Sequence, residues 1–165
     1  MNFIKISNWD TANGVGIGLV LWVAGCTHHC EGCHNITTWD ASSGRKFTEE
    51  DMKELLEKVS NPHISRITFS GGDPLAPYNR SEILYVAQEL KKHYPNKKIW
   101  CYTGFDWEEV KDLAVMKYID ILVDGKFILN QKDITLKWCG SSNQRVIDVQ
   151  NTISENHLVL LDTDD

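Results

Sequence analysis

Cys26-Thr27-His28-His29-Cys30-Glu31-Gly32-Cys33 sets three thiols at spacings of four and three residues, so that one tight loop can aim them at a common centre. Eight residues are too crowded for an ordinary disulfide framework, and the chain's 5 cysteines are an odd number. In a reducing compartment such a cluster reads as a metal or catalytic site. Three readings are open from spacing alone. An iron-sulfur cubane on three thiolates keeps one iron free for a further ligand. A closed Cys3His zinc site would recruit His28, His29 or His34. The third is three unliganded core cysteines. Cys101 and Cys139 stand apart beside Trp100, Tyr102 and Trp138 and read as core or bystander thiols.

The elements that position this loop follow from periodicity. Leu19-Val20-Leu21-Trp22-Val23 is apolar without alternation, the pattern of a strand covered on both faces. It follows a polar opening (Asn8 to Asn13) and Gly14, Gly16 and Gly18, and it reads as the first strand, with the cysteine loop at its C-terminal end. Thr48, with Glu49, Glu50 and Asp51 behind it, starts a helix whose apolar face is Met52, Leu55, Leu56 and Val59. Ile64 to Ser70 predicts a second strand, Ser81 to Tyr94 a helix, and Lys98 to Thr103 a third strand. Asp106 caps a further helix, and Tyr118 to Val123 predicts a fourth strand. Gln144 to Val149 and His157 to Leu161 are short strand candidates. Such alternation predicts an α/β fold with a mostly parallel sheet, whose chemistry sits at the C-terminal strand ends.

Those ends carry further candidates. Gly71-Gly72-Asp73-Pro74 follows the second strand, Thr103 ends the third, and Asp124-Gly125-Lys126 ends the fourth. Gly71 and Gly72 leave backbone open to close approach, and Asp73 is an acidic group beside it. The same tetrapeptide also serves as an ordinary loop in which Asp73 caps a helix and Pro74 opens it. Asp124 and Lys126 either pair with each other or meet a zwitterionic ligand. Thr103 is a candidate hydroxyl, although a plain strand end accounts for it better.

Size and composition bound the rest. The chain has 165 residues, 42% apolar and 24% charged, which suits one domain spanning 1–165 and excludes disordered or collagenous classes. With 17 basic against 23 acidic residues the formal charge is -6, which repels a phosphate backbone, so no nucleic-acid partner is expected. No apolar run reaches the ~18 residues of a membrane span, and the N-terminus lacks a secretory pattern, so a cytoplasmic protein is expected.

The cysteine loop after one strand and the Gly-Gly-Asp-Pro turn after the next resemble the radical S-adenosylmethionine enzymes. Within them, GCTHHCEGCHNITTW (Gly25 to Trp39) is similar to the activating proteins of anaerobic ribonucleotide reductases. The likeness continues through TFSGGDPLAP (Thr68 to Pro77), YTGFDWEEV (Tyr102 to Val110), YIDILVDGKF (Tyr118 to Phe127) and GSSNQRVID (Gly140 to Asp148). The resemblance implies a 4Fe-4S cluster on Cys26, Cys30 and Cys33, with S-adenosylmethionine on the fourth iron. It further implies a cofactor site drawn from Gly71, Gly72, Asp73, Thr103, Asp124, Lys126 and Asn143. Asn143, Gln144 and Arg145 would be cofactor-proximal or partner-facing. His28, Asn35 and Trp39 match the family string, and loop packing is the expected role of Trp39.

A full (β/α)8 barrel needs about 250 residues, so an incomplete (β/α) barrel is expected, open on one side. Such a mouth suits a protein loop as substrate. The family implies a glycine loop on the large reductase subunit, from which a deoxyadenosyl radical removes hydrogen, with electrons from a flavodoxin-like or other low-potential donor. Departures from the family pattern are Gly32 in place of an aromatic residue, Val15 in place of proline, the lack of an arginine near Gly18, and Cys139 where arginine is common. An activase of another glycyl radical enzyme and a zinc-binding interaction module are the alternatives.

Overall fold

The computed structural model describes residues 1–163. A seven-stranded sheet runs β3-β1-β2-β4-β5-β6-β7 and is not closed into a ring. In chain order the strands are β1 (Asn2–Asp10), β2 (Gly18–Val23), β3 (Arg45–Lys46), β4 (Arg66–Gly71), β5 (Lys98–Tyr102), β6 (Ile121–Asp124) and β7 (Arg145–Asp148). The helices are α1 (Glu49–Val59), α2 (Arg80–His93), α3 (Trp107–Val110) and α4 (Val149–Glu155). β2, β4, β5 and β6 are mutually parallel. β1 joins β2 and β3, and β7 joins β6, antiparallel.

Both margins of the sheet therefore differ from the expected alternation. The strand expected to be first is the second: β1 precedes it and takes in Asn8 to Asp10, which reads as a polar opening in sequence. Phe3 is its one fully buried residue, so the strand has little apolar pattern to show. The fourth expected strand begins at Ile121 rather than Tyr118, because Ala114–Lys117 forms a 3-10 turn closed by Tyr118. His157 to Leu161 forms no strand and contributes a single bridge, Ile147 to Leu160.

The two faces of the sheet bury different things. Leu19, Leu21, Val23, Ile67, Phe69, Ile99, Cys101 and Leu122 face the helices and build the main core with Leu55, Val59, Ile83 and Leu90. The other face carries Trp100, Ile121, Val123 and Val146, covered by Tyr102, Trp138, Cys139 and Leu161. Capping fixes α1 in register: Asp51 N–H donates to Thr48 Oγ1, while the Asp51 carboxylate accepts the Thr48 N–H at 2.8 Å.

At the N-terminal pole of the parallel strands, Arg66 is fully buried. Its guanidinium donates to Asp10 Oδ2 at 2.6 Å and to Thr68 Oγ1 at 2.8 Å. Gly14 and Gly18 lie flat against it, since a Cβ on either would come within 2.8 Å or less of the Arg66 side chain. The glycines of the opening segment thus make room for a charged side chain delivered by β4.

Candidate metal centre and adjoining cleft

All four parallel strands end at one rim, and a cleft of about 140 Å³ lies there. It is lined by Cys26, Cys30 and Cys33 from beyond β2, Gly71 to Asp73 at the end of β4, Thr103 and Gly104 from beyond β5, and Gly125 and Phe127 from beyond β6. The cysteine loop leaves β2 at Gly25, whose φ of 94° is a left-handed value. Gly25 and Cys26 N–H then donate to the carbonyls of Thr38 and Trp39 at 2.7 and 3.0 Å, which closes the loop at its base.

Gly72 is required by contacts within the protein itself. A Cβ there would sit 2.4 Å from the Gly25 carbonyl oxygen, so the β4 turn and the root of the cysteine loop touch backbone to backbone. Asp73 N–H donates to that same carbonyl at 2.7 Å.

Asp73 is a hub. Its buried carboxylate accepts from Thr103 Oγ1 at 2.9 Å, Gly104 N–H at 3.0 Å and Leu75 N–H at 2.8 Å, and it pairs with His28 Nε2 at 2.7 Å. Cysteine loop, β4 turn and β5 end are therefore tied to one carboxylate. No helix opens at Pro74, since α2 starts at Arg80 with Asn79 as its N-cap; the Leu75 bond closes a local turn, and the other bonds tie separate segments together.

The histidines have protein partners of their own. His28 meets Asp73 and the edge of Phe105, His29 stacks on Trp39 with centroids 4.5 Å apart, and His34 lies against Phe127. Beside the three thiols the cleft is lined by His28, whose Nε2 is taken up by Asp73. Among the described residues no three His, Cys, Asp or Glu side chains converge on a single-ion centre. Asn35 N–H already donates to Cys33 Sγ at 3.3 Å. Burial pushes the Cys26 thiol up, against the pull of the His28 and His29 backbone N–H groups.

The other expected residues divide. Asp124 does not face the cleft: Arg145 Nη2 donates to it at 2.5 Å, and the Trp107 N–H donates at 2.8 Å. It anchors α3 and pairs with Arg145 instead of Lys126, because the carboxylate is buried while Lys126 is exposed. Lys126 and Asn143 line a neighbouring cleft of about 700 Å³, which shares His28 and Gly104 with the first. Asn143 Nδ2 donates to the Lys126 carbonyl at 2.8 Å, and Gln144 Nε2 donates to the Gly125 carbonyl at 2.9 Å. The GSSNQ segment thereby buttresses the end of β6.

Three thiols on one loop, held to a diglycine turn, form a set suited to iron and sulfide. Residues 12–147 match the family model described as a 4Fe-4S single cluster domain. The chain is also 43% identical, over 88% of its length and 93% of the relative's, to the anaerobic ribonucleoside-triphosphate reductase-activating protein of Enterobacteria phage T4. The same-named proteins of Vibrio cholerae (42%, over 87% and 96%) and Escherichia coli K12 (40%, over 88% and 97%) are similar to it. The chain belongs to this activating-protein family. It carries a 4Fe-4S domain, and the matched span includes the three thiols that line the cleft.

Ser70, Tyr102, Gly125 and Phe127 also line the cleft; the sequence motifs contain them but give them no role. Strand alternation carries the signal for Ser70 and Tyr102. Arg66, Thr68 and Ser70 share a face of β4, as Trp100 and Tyr102 do of β5, so both residues end the inner face at the rim. Burial holds the Tyr102 phenol neutral, far above its ordinary range.

Proposed function

We propose that this chain is a radical S-adenosylmethionine activase, built as one incomplete (β/α) barrel over residues 1–165, whose substrate is a glycine loop of an anaerobic ribonucleoside-triphosphate reductase. Cys26, Cys30 and Cys33 would hold the 4Fe-4S cluster. Gly71, Gly72 and the larger cleft bounded by Lys126 and Asn143 would receive S-adenosylmethionine. When bound, the cluster supplies one electron that cleaves the sulfonium into methionine and a carbon radical able to take hydrogen from glycine.

The chain's own residues orient and enclose. Asp73 keeps the cysteine loop, the diglycine turn and Thr103 in one fixed relation, so the metal-holding and nucleotide-holding backbones cannot drift apart. Gly72 lets those two backbones touch. Lys126 offers a cation at the margin of the second cleft, suited to a carboxylate. The open sheet leaves one side of the rim accessible to a polypeptide loop. A low-potential donor in a reducing, cytoplasmic setting would feed the cluster. No helix among the described residues is long and apolar enough to cross a membrane.

The observation that carries this reading is the convergence of three thiols with the Gly71–Asp73 turn at one rim. The test is anaerobic reconstitution with iron and sulfide, followed by strong reductant, S-adenosylmethionine and the reductase. Brown charge-transfer absorbance, release of 5'-deoxyadenosine and a glycine-centred doublet in the electron paramagnetic resonance spectrum are expected. A colourless zinc protein that leaves the nucleotide intact would overturn the reading.

A further inference from the structure

Trp39 closes the 3-10 turn that follows the cysteine loop, and its carbonyl accepts the Cys26 N–H. Its ring is stacked on His29, with planes 17° apart, and it lines the same cleft as the three cysteines. The indole is thus held by its backbone on one side and by a ring face on the other. Yet its Nε1–H is shut away from solvent and finds no acceptor among the described residues. Trp22 shows the ordinary arrangement, its Nε1–H donating to Ser7 Oγ at 2.8 Å. A buried N–H without an acceptor is unfavourable, and tryptophan is normally placed where that group reaches a partner.

The cleft indicates the kind of acceptor. Its ligand set is sulfur, and Cys33 Sγ already takes a backbone N–H from Asn35. We infer that the Trp39 indole N–H donates to a sulfur of the iron-sulfur cluster and thereby helps set its potential, an assignment that rests on the cluster reading above. Reduction adds negative charge to the sulfurs, so an N–H···S bond is stronger in the reduced state and makes the cluster easier to reduce. Trp39 is then a positioning and tuning residue beyond its packing role, acting before any substrate arrives.

The test compares the wild type, Trp39→Phe, and a protein carrying a benzothiophene side chain at position 39, which keeps the shape and loses only the N–H. All three are reconstituted anaerobically without nucleotide, analysed for iron and sulfide, and titrated by electron paramagnetic resonance. Full loading is expected, with midpoints in both variants more negative by about 59 mV, a tenfold change in the one-electron equilibrium constant. The melting temperature of the metal-free benzothiophene protein should not fall, since that side chain keeps the packing and removes a donor with no partner. Unshifted midpoints in loaded variants overturn the inference. Wild type labelled with 15N-tryptophan must also show a nitrogen coupling to the reduced cluster, whether or not Trp39→Phe loads, and its absence overturns the inference too. A wild type that takes up no iron overturns the cluster reading itself, which separates the two failures.

Discussion

Asp73 shows how much of the rim depends on one side chain. Asp73→Asn turns one acceptor oxygen into a donor facing Thr103, Gly104 or His28. It is expected to destabilise the fold by about 2–3 kcal/mol and to depress nucleotide cleavage more than iron content. Urea unfolding and iron analysis read the two effects separately. The cysteines divide in the same way. Cys26→Ala, Cys30→Ala or Cys33→Ala should each abolish cluster assembly and 5'-deoxyadenosine release, whereas Cys139→Ala keeps both. Cys101→Ala also keeps both, and loses about 1 kcal/mol to the small void it leaves in the core. Burial pushes the Cys139 thiol up to about 11 and Cys101 well above its ordinary value. At pH 8 Cys139 is then about a thousandth thiolate. Iodoacetamide should label the 26–33 peptide of metal-free protein at least roughly tenfold faster than either of the other cysteines, as mass spectrometry would show. The thiol loop and the diglycine turn were legible in sequence because their spacing is local. The loss of Asp124 to Arg145 was not, because that pairing joins β6 to β7, 21 residues apart.

Among the elements, α1 and α2 were readable to within a residue or two, since apolar spacing lies within each segment and α1 has a capping residue as well. β1 was hidden for the opposite reason. Its register is set by β2 and β3, and its own side chains are mostly half-exposed. The α1 cap carries a pH signature. Arg45 beside Asp51, helped by the Thr48 N–H and hydroxyl, holds its carboxyl at about 2 against an ordinary 3.8. A depressed carboxylate contributes stability that is fully present above the ordinary value and is lost as pH falls through the folded one. Asp51→Ala is therefore expected to lower stability by about 1 kcal/mol at neutral pH. It should also flatten the decline in stability that the wild type shows between pH 3.8 and about 2. Urea midpoints at a series of pH values check both.

Taken whole, the molecule has a chemical pole and a structural pole at opposite ends of the parallel strands. The structural pole is the buried Arg66–Asp10 pair, which ties the end of β1 to the middle of the sheet. Asp10→Ala would leave an uncompensated buried guanidinium and should cost about 3–5 kcal/mol, whereas a distant surface change such as Lys92→Ala should cost under about 0.5. Thermal unfolding of the metal-free protein distinguishes them. The chemical pole holds three of the five thiols in partial contact with solvent, while Cys101 is sealed in the core. Air that strips the iron from such a protein meets its reactive sulfurs together on one short loop. Air oxidation is expected to leave a reversible bond between two of these near neighbours, which mass spectrometry before and after a mild thiol would show.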